Sequence, residues 1–508
     1  MSVDCVFTKY TGPIRCFNQF IPDLGLAYLS SALKQAGYTS DLLDLDLLEN
    51  SAKDLLDYLE TYKPRVLAVK LLRVGFPSLV KIVEEAKKIS PTTMIVGGGP
   101  HARLCQETIF KSTDAFDALI VGEGDRAIVQ IVEVAYGERE LGDVENVVFR
   151  GENGHLVKRP TSVTQNLDDL PIPDRGLYDL ERYLPIFLIS TRRGCPFTCA
   201  FCNCNYERPD RKRTLPSVQQ EINSYIDQYG VHLFALADSL PDAQLTGELC
   251  DWLIDSRART RWTSFARTKY LDRLYEKMAR AGWVSLWFGI ESGSEKILRK
   301  MKKFYDAQDV RHTIHLAKQA GIKCIGGFIV GFPGEDESTL AETFKLSQEL
   351  ALDGVSFSPY VLLPGSPVAE RPEAYEVKPY ENWMETYTAS PDLRDTRYFE
   401  VAGEDNVGRL ERFNPLVNNA YKSFQHHQLV EDADYAELIA CTMEGMSAND
   451  ILLKTDALLN SEDIREWNAF LSRVWRAAET VGHAPGAAEN IFAIPYVDFT
   501  GGSRREAY

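Results

Sequence analysis

The chain has 508 residues, of which 44% are hydrophobic and 25% charged, a balance typical of a soluble globular protein with a sizeable core. A formal net charge of −17 argues against a nucleic-acid-binding protein, because such proteins carry basic surfaces. No run of about 18 consecutive apolar residues predicts a membrane span, and the length predicts about three domains.

The ten cysteines are unevenly distributed, because four of them fall between positions 195 and 204. Such clustering in a long chain favours metal binding in a reducing compartment over a framework of disulfides. The first 15 residues lack a charged segment followed by an apolar core, so no secretory signal peptide is expected. These features predict a cytoplasmic protein.

Residues 1–140 alternate short apolar segments with helical periodicity, which predicts a parallel, doubly wound, Rossmann-like sheet. Strands are predicted at residues 4–7, 42–45, 66–69, 94–96 and 118–121. Helices are predicted from Leu26 to a stop at Gly37, and at residues 52–62, 77–89 and 102–110.

Two glycine-bearing turns follow strands of this sheet, at the edge where such folds bind ligands. The turns contain Gly97, Gly98 and Gly99, and then Gly122, Glu123 and Gly124. Glycine lets a backbone approach a planar or phosphate ligand closely, but a tight turn between strand and helix needs glycine as well. A ligand site and a purely structural role are both open at this point.

Residues 141–182 are predicted to connect two domains. Residues 147–150 and 155–157 can pair as a hairpin across the turn 152–154. Pro171 and Pro173 then stand close together in an acidic stretch, and prolines so spaced interrupt both helix and sheet. A domain boundary is therefore expected here.

Cys195, Cys199 and Cys202 follow an apolar strand at 187–189 with the spacing C-x3-C-x2-C. Soft thiolates at short spacing bind iron–sulfur clusters or zinc. Three cysteines leave one iron of a four-iron cluster without a protein ligand, and an open position suits cofactor or substrate chemistry. Zinc is the alternative, since Cys204 can supply a fourth thiolate, and a chance grouping of cysteines is another.

This spacing, with Phe201 before the last cysteine, resembles the signature of the radical S-adenosylmethionine (SAM) enzymes. The resemblance implies that the three cysteines ligate a [4Fe-4S] cluster whose fourth iron binds SAM, which the cluster cleaves to a 5′-deoxyadenosyl radical. The preceding domain is similar to the cobalamin-binding domain of one large subfamily, in which the two glycine turns lie near cobalamin. The Asp-x-His-x-x-Gly stretch of some cobalamin proteins is absent, as it is from many members of this subfamily, and His101 lies in no such pattern.

Residues 183–370 repeat the strand–helix alternation. After the strand at 187–189, strands are predicted at residues 233–237, 261–265, 284–290, 324–330 and 355–358, with helices at 217–229, around 271–281 and around 314–317. Six strands resemble the partial (β/α)6 barrel of the radical SAM family, and the active site of such a barrel lies at the carboxyl ends of its strands.

The resemblance implies that residues at those strand ends bind the cofactor. Arg267 can pair with the SAM carboxylate as a planar bidentate donor, with a rim salt bridge as the alternative. Asp238 can touch cofactor or substrate, with a turn cap as the alternative. Gly331 ends the segment 326–331 that is expected to flank adenine.

Glu291 and Ser292 follow the strand at 284–290 and suit the SAM amino group and the ribose hydroxyls. The alternative for Ser292 is a helix cap, because Ser292 and Glu295 have the spacing of a capping box.

Residues 371–508 are predicted to form a mainly helical C-terminal domain, with helices at 436–446 and 464–481, that covers the barrel mouth and helps to choose the substrate. His426 and His427 are neighbours that would face apart on a helix, which favours surface residues over metal ligands.

The sequence therefore predicts an α/β radical SAM enzyme, cobalamin-dependent and methylating a carbon of a small metabolite or peptide. The resemblance also implies an external electron donor of flavodoxin or ferredoxin type. One alternative is rearrangement, cyclisation or oxidation without methyl transfer, with or without cobalamin. A zinc- or nucleotide-binding regulatory protein is another.

Overall fold

The structure, a computed structural model, describes residues 3–11, 17–48, 51–204, 209–390 and 395–422, and separate positions between 436 and 477. Within these residues the strands form four sheets, of seven, two, six and three strands. None of the described helices is both long and apolar enough to cross a lipid bilayer.

The first sheet contains the seven strands β1 (Cys5–Lys9), β2 (Ser40–Asp44), β3 (Val66–Lys70), β4 (Met94–Gly98), β5 (Ala118–Ile120), β6 (Val147–Arg150) and β7 (Leu156–Lys158). Their spatial order is β2-β1-β3-β4-β5-β6-β7, and β1 to β5 pair in parallel. This confirms the predicted doubly wound sheet, whose order reverses between β1 and β3, the position where such sheets bind ligands. The hairpin predicted in the connector forms as well, and β6 and β7 extend this sheet as antiparallel strands.

Six helices connect or flank these strands: α1 (Leu24–Gln35), α2 (Ser51–Tyr62), α3 (Phe76–Ile89), α4 (Pro100–Leu104), α5 (Gln106–Ser112) and α6 (Gly124–Ala135). Asp23 starts α1 by accepting a hydrogen bond from the Leu26 amide, and Gly37 follows its end with a φ of +87°. The single helix predicted at 102–110 is instead the pair α4 and α5, because Cys105 leaves the helical region between them.

The next strands are β8 (Ile186–Ile189), β9 (Arg192–Arg193), β10 (Arg211–Lys212), β11 (Leu233–Leu236), β12 (Arg261–Ala266), β13 (Trp283–Glu291), β14 (Lys323–Val330) and β15 (Gly354–Pro359). β9 and β10 form an antiparallel two-stranded ribbon. The other six form a wholly parallel sheet in the order β15-β14-β13-β12-β11-β8. Neighbours in the chain are neighbours in space, which confirms the partial six-stranded barrel.

The barrel helices are α7 (Leu215–Tyr229), α8 (Ala243–Asp255), α9 (Tyr275–Ala281), α10 (Glu295–Lys300), α11 (Ala307–Gln319) and α12 (Glu337–Glu349). They cover the outer face of the sheet, where the buried Trp262 ring stacks between Phe234 and Trp283 at centroid distances of 4.8 and 5.2 Å. α9 begins later than the predicted 271, because Leu271 and Leu274 lie in the turn that precedes it.

The C-terminal part contains α13 (Pro367–Glu370), β16 (Val377–Pro379), α14 (Trp383–Ala389), β17 (Phe399–Val401), β18 (Glu404–Asp405) and α15 (Asn406–Lys422). Its helical content is confirmed, and β16 to β18 add a three-stranded antiparallel sheet. Only separate positions are described within 436–446 and 464–481, and His426 and His427 lie outside the described residues. Six described residues of this tail are fully buried in one apolar cluster with Ile186 and Leu233, which begin β8 and β11. The six are Ala436, Ile439, Ile451, Phe470, Leu471 and Val474.

Candidate functional site

The three clustered cysteines lie on a loop closed by the ribbon β9–β10, which we call the cysteine loop (residues 194–210, described except for 205–208). Gly194 begins it with a φ of +97°, in the left-handed region that favours glycine. A Cβ at this position would lie 2.6 Å from the carbonyl oxygen of Pro209. Glycine is therefore required for the two ends of the loop to pass each other.

Backbone hydrogen bonds hold the tip of the cysteine loop against the barrel. The Ala200 amide donates to Met301 O at 3.0 Å, and the Val368 amide donates to Ala200 O at 3.1 Å. Cys195, Cys199, Cys202 and Cys204 are half-buried thiols, outside any disulfide, on or beside this fixed turn.

Among the described residues, no three His, Cys, Asp or Glu side chains converge to hold a single metal ion. A cubane cluster asks for a different arrangement, since each cysteine binds its own iron. Three thiols on one anchored loop fit that requirement.

Charged and aromatic side chains surround the thiols. Arg267 Nη1 lies 3.5 Å from the sulfur of Cys199, and its guanidinium stacks 4.0 Å from the centroid of the Phe197 ring. This puts a cation beside a sulfur that is anionic when it binds metal. The backbone amide of Cys204 donates to Cys202 Sγ at 3.4 Å, and burial raises the pKa of Cys195.

Asp238 lies at the end of β11, buried beneath the start of the cysteine loop with 1% of its surface exposed. Its carboxylate accepts hydrogen bonds from the amides of Thr191 (2.8 Å) and Arg192 (2.9 Å) and from the Thr191 hydroxyl. Burial raises the pKa of Asp238 to about 6, although these hydrogen bonds oppose the shift. Asp238 thereby fixes the chain between β8 and the ribbon.

Glu291 ends β13 with a φ of +67° and forms an ion pair of 2.9 Å with Lys303. Both side chains are largely buried, and Lys303 Nζ also lies 5.5 Å from the Phe201 ring centroid. Burial opposes the charge of Lys303, but Glu291 raises its pKa overall. Sequence reasoning missed Lys303, because a lysine in the run 300–303 cannot be distinguished from a solvated surface charge.

Ser292 is fully buried behind Glu291. Its hydroxyl lies 3.0 Å from the Thr343 hydroxyl of α12 and accepts from the Ser294 amide at 3.1 Å. The alternative role for Ser292, a helix cap with Glu295, does not form: α10 starts from Ser294 with no side-chain cap, and Glu295 pairs with Arg299.

Gly331 follows β14 with a φ of +84°, and α15 fixes the loop that it opens. Arg409 donates to the carbonyl oxygens of Gly331 at 2.7 Å, Phe332 at 2.9 Å and Glu335 at 2.9 Å. Glu335 accepts from the Gly331 amide, and burial raises its pKa to about 7. Arg409 was not predicted, because it lies in a stretch of sequence without recognisable motifs.

The glycine turns of the first sheet differ in their surroundings. An added Cβ would lie 2.6 Å from Leu119 at Gly97, 2.6 Å from Asn146 at Gly122 and 3.0 Å from Leu29 at Gly124, so these three are packed against the chain itself.

Gly98 is open by comparison, because a Cβ added there meets nothing closer than 3.9 Å. Gly99 has a φ of +96°. A Cβ added at Gly99 would lie 3.2 Å from Leu71 O, so the turn itself requires this glycine. Gly98 alone fits the close approach of a large ligand at the carboxyl edge of the sheet.

Glu123, predicted near cobalamin, joins the first sheet to the cysteine loop. Its oxygens lie 2.6 Å from Arg211 Nη2 and 3.4 Å from Arg193 Nη1, and Asp125 lies 2.7 Å from Arg193 Nη1. Arg103 of α4 reaches the loop near its tip, donating to Asn203 O at 3.1 Å. The N-terminal unit thus contacts the cysteine loop at its base and near its tip.

Comparison with protein families identifies both units. The B12 binding domain matches residues 10–132, and the Radical SAM superfamily matches residues 189–347.

Similar proteins span most of the chain. An uncharacterized methyltransferase of Pyrococcus horikoshii is 25% identical over 79% of this chain and 87% of its own length. The anaerobic magnesium-protoporphyrin IX monomethyl ester cyclase of Rubrivivax gelatinosus is 27% identical over 74% of this chain and 71% of its own. The solved structure of the radical SAM methyltransferase TsrM from Kitasatospora setae has the same fold, with a TM-score of 0.67 at 17% identity, covering 94% of this chain and 99% of that one.

The three-cysteine loop lies on a six-stranded partial barrel and contacts a parallel-sheet unit that matches the B12 binding domain. These features lead to one assignment. The chain belongs to the radical SAM superfamily, in the branch that carries a B12-binding domain, and is an enzyme whose cofactors are a [4Fe-4S] cluster, SAM and cobalamin.

Proposed function

We propose that the enzyme transfers a methyl group to an unactivated carbon of a small molecule or peptide in a cobalamin-dependent reaction. The observation that carries this proposal is the double attachment of the cysteine loop. The loop belongs to the radical SAM domain, yet Asp125 and Arg103 of the B12-binding domain contact it at its base through Arg193 and near its tip through Asn203. A cluster on this loop lies next to both cofactor domains.

The residues have distinct proposed roles. Cys195, Cys199 and Cys202 hold the cluster, and Arg267 and Glu291 orient the carboxylate and amino groups of SAM. When bound, the cluster and SAM supply a radical that removes a hydrogen atom from the substrate, and cobalamin supplies the methyl group. Ser292 and Gly331 border the nucleoside of SAM. Ser292 packs against α12, and Gly331 is bound by Arg409 of α15.

Similar proteins favour methylation but also support a second candidate. Both a methyltransferase and TsrM are named for methyl transfer. The similarity to a cyclase favours a radical cyclisation, rearrangement or oxidation without methyl transfer. In either reaction a flavodoxin- or ferredoxin-type donor reduces the cluster. A cytoplasmic location is part of the proposal, because the clustered thiols must stay reduced.

The two candidates differ in their products. We expect the enzyme, reconstituted anaerobically with iron, sulfide and cobalamin, to convert SAM to both 5′-deoxyadenosine and S-adenosylhomocysteine when offered fractionated metabolites and a reductant. SAM labelled with deuterium in its methyl group should place that label on a product, which mass spectrometry detects. Formation of 5′-deoxyadenosine with an unlabelled product and no S-adenosylhomocysteine would favour the second candidate.

A pair of cysteine variants tests the cluster assignment. Cys199→Ala should lose iron and reduce 5′-deoxyadenosine to background, because an iron of the cubane loses its ligand. Cys204→Ala is the matched control from the same loop and should retain both properties. Equal loss in the two variants would contradict the three-cysteine site and favour a four-thiolate site, and iron analysis with product assay decides between them.

A further inference from the structure

An aromatic side chain near the carboxyl end of a barrel strand is unusually exposed. Phe265 of β12 exposes 50% of its surface, whereas its neighbours Trp262 and Ala266 are buried under the helices in the outer core. Side chains alternate between the two faces of a strand, so Phe265 points to the inner face of the barrel. The interior of a parallel barrel is normally packed with side chains, which makes an open aromatic ring there a sign of a ligand site.

The strand register places a second ring beside it. Phe265 pairs with Trp287 of β13, whose side chain is half-buried, and the ring centroids lie 6.4 Å apart at an interplanar angle of 61°. At the next inner level, Gly289 pairs with Gly327 of β14, and neither has a side chain to cover the rings. The result is an aromatic wall whose half-exposed Phe265 ring faces a space bounded above by the Glu291 carboxylate, which lies 2.6 Å from the position of a Cβ added at Gly289.

The remaining sides of this space are small or polar. Gly327 pairs with Ser356 of β15, and the hydroxyls of Ser356 and the exposed Ser358 lie 3.5 Å apart. On the opposite side, Ala237 continues β11 at the level of Phe265 and is exposed. We call the set Phe265, Trp287, Gly289, Gly327 and Ser356 the lumen pocket.

The lumen pocket lies directly below the cluster residues. Arg267, which contacts Cys199 Sγ, follows Phe265 by two residues on the same face, and two residues of a strand span about 6.6 Å. Glu291 likewise follows Gly289 by two residues. A molecule resting on the two rings would therefore present its upper edge to the groups that border the cluster.

We propose that the lumen pocket binds the substrate by an aromatic ring system of one or two fused rings, with a polar substituent on the serine hydroxyls. The inference rests on the proposed function and names its substrate class. Two rings set edge to face offer stacking and edge contacts to a third, beyond what an aliphatic group gains from burial alone.

Indole is the probe for this pocket. Equilibrium dialysis would use the reconstituted enzyme, with cluster and cobalamin loaded and S-adenosylhomocysteine occupying the SAM site. We expect indole to bind and cyclohexanol, which has a ring without π electrons, to bind weakly or not at all. Phe265→Leu and Trp287→Leu should each weaken indole binding about tenfold, because each removes one aromatic contact.

Two further variants distinguish an effect on the pocket from a loss of folding. Ser356→Leu fills the space without removing a ring and should also weaken indole binding. Tyr62→Leu removes a half-exposed ring on α2, away from the barrel, and should leave it unchanged. Thermal unfolding and iron content monitor folding throughout, and a tenfold loss without a change in either supports the pocket.

Several outcomes would overturn the inference. They are failure of indole to bind the wild-type enzyme, equal binding of cyclohexanol, equal weakening by Tyr62→Leu, or indole binding that S-adenosylhomocysteine abolishes. The last would assign the rings to the adenine of SAM. The proposed function is tested separately by the assay with deuterium-labelled SAM: an unlabelled product contradicts methyl transfer and leaves indole binding unaffected. Methyl transfer that is indifferent to Trp287→Leu contradicts the pocket.

Discussion

At the scale of single residues, one buried carboxylate determines how the cysteine loop starts. Asp238 accepts hydrogen bonds from two backbone N–H groups and one hydroxyl of residues 191 and 192. Because only 1% of the surface of Asp238 is exposed, water cannot replace those bonds. Asp238→Asn turns an NH2 group toward these donors. We expect it to lower the free energy of unfolding by about 1–3 kcal/mol, the usual cost of unsatisfied buried groups, and to reduce the iron bound after reconstitution. Calorimetry and iron analysis measure the two effects.

Asp251→Asn is the matched control for that substitution, because Asp251 forms an exposed ion pair with Lys277. It should leave iron content unchanged. An Asp238→Asn protein that binds iron and unfolds like the wild type would show that the hydrogen bonds to residues 191 and 192 do not hold the loop.

Glu335, also a single residue, makes stability depend on pH. Burial raises its pKa from 4.5 to about 7, so the folded protein holds this proton more tightly than the unfolded chain does. The stabilisation is complete below pH 4.5 and is lost as the pH rises through 7. Glu335→Gln should therefore be more stable than the wild type at pH 8 by up to about 3 kcal/mol, and show little difference at pH 4. Unfolding midpoints at both pH values test this, with the exposed Glu337→Gln as control.

At the scale of elements, the ribbon β9–β10 closes the cysteine loop only because Gly194 lets its ends pass. Gly194→Ala would need a left-handed φ and would place its Cβ 2.6 Å from Pro209 O. Gly154→Ala is a matched control, since Gly154 has a φ of +78° with nothing within 4 Å. The control should cost about 1 kcal/mol from strain alone. Gly194→Ala should cost clearly more and lose iron, and equal costs in thermal unfolding would contradict the close crossing.

Some of these elements can be predicted from the sequence and others cannot. The barrel strands β11 to β15 are apolar runs bounded by turns, so their existence and parallel order follow from pattern alone. The ribbon does not, because Arg192–Arg193 and Arg211–Lys212 carry no apolar alternation. The contact from Arg409 to Gly331 spans 78 positions, and no local pattern encodes a contact so distant in the chain.

At the scale of the whole molecule, four charges join the two cofactor domains. Glu123 and Asp125 come from the turn that sequence reasoning assigned to cobalamin, and Arg193 and Arg211 come from the ribbon. The exposed fractions of these side chains are 7%, 8%, 19% and 8%, so water cannot replace a lost partner easily. The chain thus couples the position of the cysteine loop to the B12-binding domain through its own ion pairs.

Removing the two acidic partners tests that coupling. Glu123→Gln combined with Asp125→Asn leaves both arginines buried without counter-ions, which typically costs about 3–5 kcal/mol. The sheet of the B12-binding domain is untouched, so we expect cobalamin to remain bound while iron is lost and the ribbon becomes sensitive to protease. Absorbance of the corrinoid, iron analysis and limited proteolysis report the three effects. Arg126→Gln breaks the exposed pair with Glu145 and should cost less than about 1 kcal/mol. If the double variant behaves like this control, the domains are positioned by apolar packing alone, and the ion pairs are incidental to the placement of the cluster.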